Sequence, residues 1–379
     1  MPRNRSSNGR RPLLLRQGWV WWLPLAAVPA DLVAELTLNG REPVSFLLIG
    51  VPPLAAATRG PLGTALSTLV CLGLQMLFAA RRLGHFDEQH HVALYVATLI
   101  IGIVSTALSW QRVRTRAHLI RANSVAEAMQ RALLRPVPHT LGPVRAAAFY
   151  SAGEGGTLVG GDLYDICATP FGVRAIIGDV RGKGLGAVQT VAAVLGSFRV
   201  SAHEWQDLAG LAERLELSIA RNDPVGDTDD PELFVTALVL EFPLSGGEVR
   251  IVDRGHPPPI VVGPDGARRL ATAPALPLGL GALSPGGSAE TTVHTVRPGE
   301  VVVVHTDGVS EARDGTGAFY PVLERLATRF GDGRAPDPAD VVSFVHADTA
   351  RWAKDCDDDQ AVLALTLTDR SPSRPAPRT

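Results

Sequence analysis

Apolar residues are spread unevenly along this chain. The first 110 positions hold long apolar stretches, and the rest alternates short apolar runs with glycine and proline turns. Four stretches stand out, at roughly 19–38, 44–58, 62–80 and 92–110. About 20 apolar residues are needed to cross a bilayer as a helix, so the third and fourth predict spans most clearly. The first contains Asp31 and Glu35, and the second is short and carries Pro52-Pro53. We place Asp31 and Glu35 near an interface rather than as ligand contacts inside a bundle. A cleaved signal peptide led by Arg10, Arg11 and Arg16 is disfavoured by the later apolar stretches.

Arginines sort with these spans. Arg3, Arg5, Arg10, Arg11 and Arg16 precede the first, and Arg112, Arg114, Arg116 and Arg121 follow the last. Four spans with both ends cytoplasmic put most arginines inside, although Arg41 and Arg81-Arg82 would then face outward. The organisation predicted is a cytoplasmic tail over 1–18, a transmembrane domain over 19–110 with about four helices, and a connecting helix over 111–138. A soluble domain over 139–368 and a disordered tail over 369–379 complete it. The connecting segment 111–135 has no glycine or proline until Pro136 and Pro138. Its stripe of Ile120, Val125, Ala128, Ala132 and Leu133 suits packing on the next domain or on a second copy. It reads either as a passive linker or as a dimerising, signal-transmitting helix.

Beyond Pro138, strands are predicted over 144–150, 163–168, 173–178, 233–241, 249–253, 259–262, 301–305 and 361–368. Amphipathic helices are predicted in pairs, over 185–202 with 208–221 and over 319–329 with 339–353. Paired helices among many strands give an α+β class, with sheets in the middle and helices outside. A net charge of -2 offers no reason to expect a nucleic-acid partner. Cys71, Cys167 and Cys356 are far apart and lack any metal spacing.

The chemistry sits in four aspartates at strand ends: Asp162, Asp179, Asp307 and one of Asp357, Asp358 and Asp359. A single Asp-Gly pair is a turn. Four in one domain, beside Gly161, Gly182, Gly184 and Gly308, point to hard divalent cations bound by oxygen and to a two-metal hydrolytic centre. Spacing from Gln360 favours Asp358 as the fourth. Lys183 lies between glycines, but the full phosphate-loop pattern is missing. His256, before three prolines, reads as a structural histidine in a rigid loop rather than a general acid.

Six ordered motifs carry a family resemblance: Gly160-Gly161-Asp162-x-Tyr164-Asp165, Gly178-Asp179-Val180-x-Gly182-Lys183-Gly184, Phe234-Val235-Thr236-Ala237, Gly255-His256-Pro257-Pro258-Pro259, Thr306-Asp307-Gly308 and Asp358-Asp359. Over about residues 140–368 the chain resembles the SpoIIE/RsbU-type phosphatases, the bacterial branch of the metal-dependent (PPM) serine/threonine phosphatases. The resemblance implies a four-layer α-β-β-α sandwich preceded by an all-α transmembrane bundle, and two Mn²⁺ or Mg²⁺ ions. Asp179 would bridge the ions, with the Val180 carbonyl as a further ligand. Asp162 would hold the second ion, mostly through water, and Asp307 and Asp358 the first. Water activated there would attack phosphorus in line, with no phosphoenzyme. The implied substrate is phosphoserine or phosphothreonine on a regulatory partner, an anti-anti-sigma STAS protein, hydrolysed by a multi-pass cell-membrane protein with its phosphatase domain in the cytoplasm. Arg181 departs from the usual small residue and either contacts the phosphoryl group or faces solvent. Gln360 departs from the usual aliphatic residue. The rival functions are a non-catalytic docking module of the same fold and a small-molecule phosphohydrolase.

Overall fold

The computed structural model describes residues 26, 29, 33, 45–81, 89–153, 160–182, 184–222, 234–283, 289–353 and 358–368. The expectations for 1–18, for 19–38 apart from residues 26, 29 and 33, and for Asp31, Glu35, Lys183, Cys356, Asp357 and 369–379 lie outside the described residues. The chain forms two compact units, Met1–Leu119 and Ile120–Thr379.

In the first unit a 3-10 segment, Ser45–Gly50, leads into α1 (Val51–Thr58), followed by α2 (Pro61–Arg81) and the start of α3 (Gln89–Leu133). Segment 44–58 is therefore not one continuous α-helix. Pro52 and Pro53 lack N–H groups and fit only the first turn of a helix, so α1 starts beside them. α2 and α3 bury a polar and small seam. Thr64, Thr68, Cys71 and Gln75 lie on one helix, and Thr98, Ser105 and Ser109 on the other. Gln75 Nε2 donates to Thr98 Oγ1 at 3.0 Å, and a Cβ on Gly102 would collide with Thr68. The large apolar side chains, among them Leu62, Leu66, Leu69, Ile100, Ile103 and Leu108, point outward and are exposed.

α3 shows no break where the sequence reading divides a span from a connecting helix. It is a single element of 45 residues, because polarity changes near Trp110 while helix propensity does not.

The second unit is a sandwich of two antiparallel sheets. Its strands are β1 (Thr140–Leu141), β2 (Val144–Ser151), β3 (Asp162–Thr169), β4 (Gly172–Val180), β5 (Val235–Pro243), β6 (Glu248–Arg254), β7 (Ile260–Gly263), β8 (Gly266–Arg269), β9 (Thr291–Thr295), β10 (Val301–His305) and β11 (Gln360–Leu367). One sheet has the order β1-β2-β11-β10-β7-β8 and the other β3-β4-β5-β6-β9. Helices α4 (Leu185–Glu204) and α5 (Leu208–Asn222) pack on the second sheet. After the short α6 (Asp307–Ser310), helices α7 (Val322–Phe330) and α8 (Pro338–Trp352) cover the first sheet. The result is the four-layer α-β-β-α arrangement.

Strand alternation explains why the central strands read as unbroken apolar runs. Val302, Val304, Leu363 and Leu365 join the core between the sheets, while Val301, Val303, Val362 and Ala364 join the core under α7 and α8. α7 begins at Val322 rather than at 319. Pro321 disfavours helical backbone at the residue before it, and Tyr320 instead donates its N–H to the Ala312 carbonyl. α8 starts as its sequence demands: the Asp337 carboxylate accepts from the Ala339 N–H at 2.9 Å, and Pro338 opens the first turn.

One fully buried charge fixes the helical layer to the second sheet. Arg174 on β4 donates from Nε and Nη2 to Glu241 on β5, at 2.8 and 2.5 Å. It also reaches the carbonyls of Ala202 at 2.8 Å, Gln206 at 2.7 Å and Trp205. The guanidinium thus satisfies carbonyls at the C-terminal end of α4, where a cation suits the helix dipole.

Two helices are long and apolar enough to cross a membrane among the described residues: Val92–Arg121 within α3, and α4. α4 buries nine residues and packs on its sheet, so it is a core helix.

Candidate metal centre

Strand register brings the first two aspartates face to face, since β3 pairs with β4 so that Asp162 lies opposite Asp179. The ladder continues past the strand end, with Val180 N–H donating to the Gly161 carbonyl at 3.1 Å. A Cβ on Gly161 would collide with the Val180 carbonyl oxygen, so only glycine permits this approach. Asp162 is therefore the first residue of β3 and not, as the sequence suggests, the residue before it.

The second pair comes from the other sheet. Asp307 heads α6 directly after β10, and the Glu311 N–H donates to its carbonyl at 2.7 Å. Asp358 lies two residues before β11. Gly308 lets the two segments close, because a Cβ there would collide with the Asp359 carbonyl. Gln360, the departure from an aliphatic residue, has a structural reason. Its buried Nε2 donates to the Gly308 carbonyl at 3.0 Å.

Thr306 joins the two sheets. Its Oγ1 donates to Asp162 Oδ2 at 2.7 Å and accepts from the Ala361 N–H at 2.9 Å. Asp162 is also held from behind, as Gln130 Nε2 on α3 donates to its main-chain carbonyl at 3.1 Å. Thr306 belongs to one of the ordered motifs, but the sequence assigns no task to it or to Gln130. Nothing local in the helix sequence marks Gln130 except a polar residue at a position that turns out to be fully buried.

The two described members of the acidic run have different partners. Asp359 is buried, accepting from Tyr150 O–H at 2.5 Å and from the Gly153 N–H at 3.1 Å. Asp358 is exposed and accepts from the Asp359 N–H at 3.2 Å.

Electrostatics reflects this crowding. Burial, then the neighbouring Asp307, Asp358 and Asp359, push Asp179 up to about 7, while a hydrogen bond with Asp162 draws it back down. Burial and the Asp179 charge raise Asp162 well above the carboxylate range, against the Thr306 hydrogen bond. Burial and Asp358 raise Asp307. Among the described residues, Asp162, Asp179 and Asp307 form no ion pair. Nor does any group of three or more His, Cys, Asp or Glu among them converge as the ligand set of one ion. Like-charged carboxylates without a cation between them repel and take up protons. The donor set itself, carboxylates plus a strand-end carbonyl, suits hard divalent cations.

Arg181 is exposed directly after Val180, its guanidinium 5.3 Å from the centroid of Phe234 and its N–H donating to the Phe234 carbonyl at 2.9 Å. His256 is buried against Thr236, with Nδ1 3.0 Å from Thr236 Oγ1 and its N–H donating to Asp253 at 3.0 Å. Burial, with a smaller effect from His305, lowers its pKa to about 3, so the ring stays neutral. The ring is thus bonded across to Thr236 on β5 rather than within its own loop, where only the main-chain N–H bond to Asp253 is local.

Comparison with known proteins gives four findings. A family model described as Stage II sporulation protein E (SpoIIE) matches residues 169–368. That span contains Asp179, Asp307 and Asp358 and begins seven residues after Asp162, so it is shorter than the motif resemblance. Protein IcfG of Synechocystis sp. is 22% identical over 354 residues, covering 84% of this chain and 54% of that protein. The chain thus spans about half the length of that curated relative. The SiaA-PP2C domain of Pseudomonas aeruginosa is 16% identical, with a TM-score of 0.53 over 68% of this chain and 98% of that one. The RsbU and RsbW domains of a Mycobacterium tuberculosis protein are 24% identical, with a TM-score of 0.47 over 62% of each chain.

Proposed function

The chain belongs to the family described as Stage II sporulation protein E, and on that premise we propose that it is a membrane-anchored, metal-dependent protein serine/threonine phosphatase. The observation that carries the proposal is that the charges of buried Asp162 and half-buried Asp179 on one sheet interact with those of half-buried Asp307 and exposed Asp358 from the other.

Two divalent cations, Mn²⁺ or Mg²⁺, fit this donor set, and the chemistry they supply is activation of water for in-line attack on phosphorus and neutralisation of developing charge. Asp179 would bridge them, with the Val180 carbonyl beside it. Asp162 would hold one ion, and Asp307 and Asp358 the other. Thr306 keeps Asp162 aimed inward from the opposite sheet, and Gln130 holds its carbonyl. Gly161 and Gly308 allow the backbones to approach. Arg181, with its guanidinium near the Phe234 ring, would offer a fork of donors to a phosphoryl oxygen pair.

The substrate class we assign is phosphoserine or phosphothreonine on a regulatory protein of the anti-anti-sigma STAS type, from the resemblance of the ordered motifs. The first unit supports a membrane anchor by its inverted pattern. Polar and small residues face each other between α2 and α3 while the large apolar side chains point outward, which suits lipid as solvent. We place the second unit in the cytoplasm, where the arginines following Trp110 would also lie. The test is hydrolysis of a phosphoserine STAS protein by the full chain with Mn²⁺, then with EDTA, beside Asp179→Asn. Metal-dependent turnover that vanishes in the variant supports the proposal. Metal-independent turnover, or equal turnover by the variant, overturns it.

A further inference from the structure

Just past Trp110, α3 changes from an apolar rod to a basic one, and its arginines do not share a face. At about 100° per residue, Arg112 and Arg116 lie on one side of the helix and Arg114 and His118 on the other. Segment 92–110 is about 27 Å long at 1.5 Å per residue, close to the roughly 30 Å hydrocarbon core. The charges begin where that length ends. No acidic residue occurs between Gln89 and Ala126, nor between Val44 and Phe86, so over these ranges α1, α2 and α3 carry no carboxylate to offset them.

The side chains have specific settings. Arg112 is partly committed to the protein, donating to the Ala57 carbonyl at 2.5 Å and to the Arg59 carbonyl at 3.2 Å, near the end of α1. This sets the α1–α2 corner level with the basic segment, and Ser109 Oγ, donating to Arg59 at 3.0 Å, does the same. Arg114 lies 4.8 Å over the Trp110 ring. Arg116 is exposed. Two shallow grooves, open to the surroundings and lined only by side chains of α3 itself, run along this stretch. One joins Ala107 and Trp110 to Arg114 and His118. The other joins Leu108 to Arg112 and Arg116. Each groove is apolar toward the span and cationic away from it, as is an acyl chain joined to a phosphate group read in the opposite sign.

We propose that the arginines encircling α3 beyond Trp110 form a belt that binds the headgroup phosphates of anionic lipids, with acyl chains lying along Leu108 and Trp110. This inference rests on the membrane reading above and adds the lipid class. A ring of charge suits a helix that passes upright through the headgroup layer; a helix lying on the surface would gather its cations on one face.

The test reconstitutes the full chain into vesicles of phosphatidylcholine alone and of phosphatidylcholine with phosphatidylglycerol. After flotation and extraction, retained lipids are counted by native mass spectrometry. Wild type is expected to retain phosphatidylglycerol over phosphatidylcholine, with the preference falling as salt rises. Each juxtamembrane arginine contributes about a fivefold preference, so Arg114→Gln with Arg116→Gln should cut it about 25-fold. Arg112 is left in place because it holds the α1–α2 corner. Equal retention of both lipids by wild type overturns the belt without reference to any variant, and so does an unchanged preference in the double variant. Displacement of the lipid by an equal concentration of inorganic phosphate would mean a simple anion site and also overturns it. Failure to float with either vesicle would instead overturn the membrane reading itself.

Discussion

Asp179→Asn separates the electrostatic role of this residue from its structural one, because the amide keeps the shape and the strand pairing. In the metal-free domain Asp179 carries a folded pKa of about 7 against 3.8 for the free side chain. A raised carboxylate pKa means that the folded state holds its proton more tightly. Its contribution is thus favourable below about pH 4, is lost as pH rises from 4 to 7, and is flat above. Roughly three units at about 1.4 kcal/mol each amount to about 4 kcal/mol at pH 8. Asparagine cannot ionise and escapes that loss. In EDTA the variant of residues 120–379 should therefore be more stable than wild type by about 2–4 kcal/mol at pH 8. The gap should shrink steadily toward pH 4. At about 2–4 °C per kcal/mol for a domain of this size, calorimetry should show a Tm higher by roughly 4–16 °C. Adding Mn²⁺ should reverse the order, because wild type, with the Asp179 carboxylate, gains more binding energy on metal than the variant. A variant less stable than wild type in EDTA at pH 8, or a gap that does not change with pH, would refute the reasoning.

Three further outcomes follow. Arg174→Met leaves Glu241 buried beside only Arg250, at 3.1 Å, and strands carbonyls at the end of α4. Denaturant unfolding should show a loss of about 3–5 kcal/mol, and Arg174→Met with Glu241→Leu should recover much of it; a double variant no better than the single would contradict the pairing. Gln130→Ala removes the bond to the Asp162 carbonyl, so Mn²⁺ affinity by calorimetry should fall about fivefold at unchanged helix content. Unaltered affinity would show that the bond does not position Asp162. Gly308→Ala drives a Cβ into the Asp359 carbonyl and should cost about 1–3 kcal/mol together with most of the activity. Normal turnover in that variant would mean that the two segments need not approach so closely.

What could be read from the sequence follows from which forces act locally. β10 matches its expected limits, Val301–His305, because a continuous valine run between turn residues has one reading. β8 and β9 went unseen because they are edge strands. Gly266–Arg269 has no fully buried residue, and Thr291–Thr295 buries no side chain completely either, so neither shows an apolar signature. The aspartates were visible because each ends or opens an apolar run. The register that sets Asp162 against Asp179 was not, since pairing is a property of two distant segments. Gln130 was hidden for the same reason, because its partner is 32 residues away and is a main-chain carbonyl. In α3 the apolar-to-basic change at Trp110 drew a boundary that the backbone does not share.

The position of β11 sets a condition on how the protein is made. β2, near the start of the second unit, and β10 lie on either side of it, and every residue of β11 is buried. A ribosome therefore produces both neighbours long before the strand that fills the gap between them. Until Gln360–Leu367 emerges, two open edges wait unpaired, exposed to adhesion between nascent chains. Thr306 also lacks the Ala361 N–H that fixes its hydroxyl. Chains that stop short of β11 should thus be both sticky and unable to form the centre, which ties competence for hydrolysis to completion of synthesis.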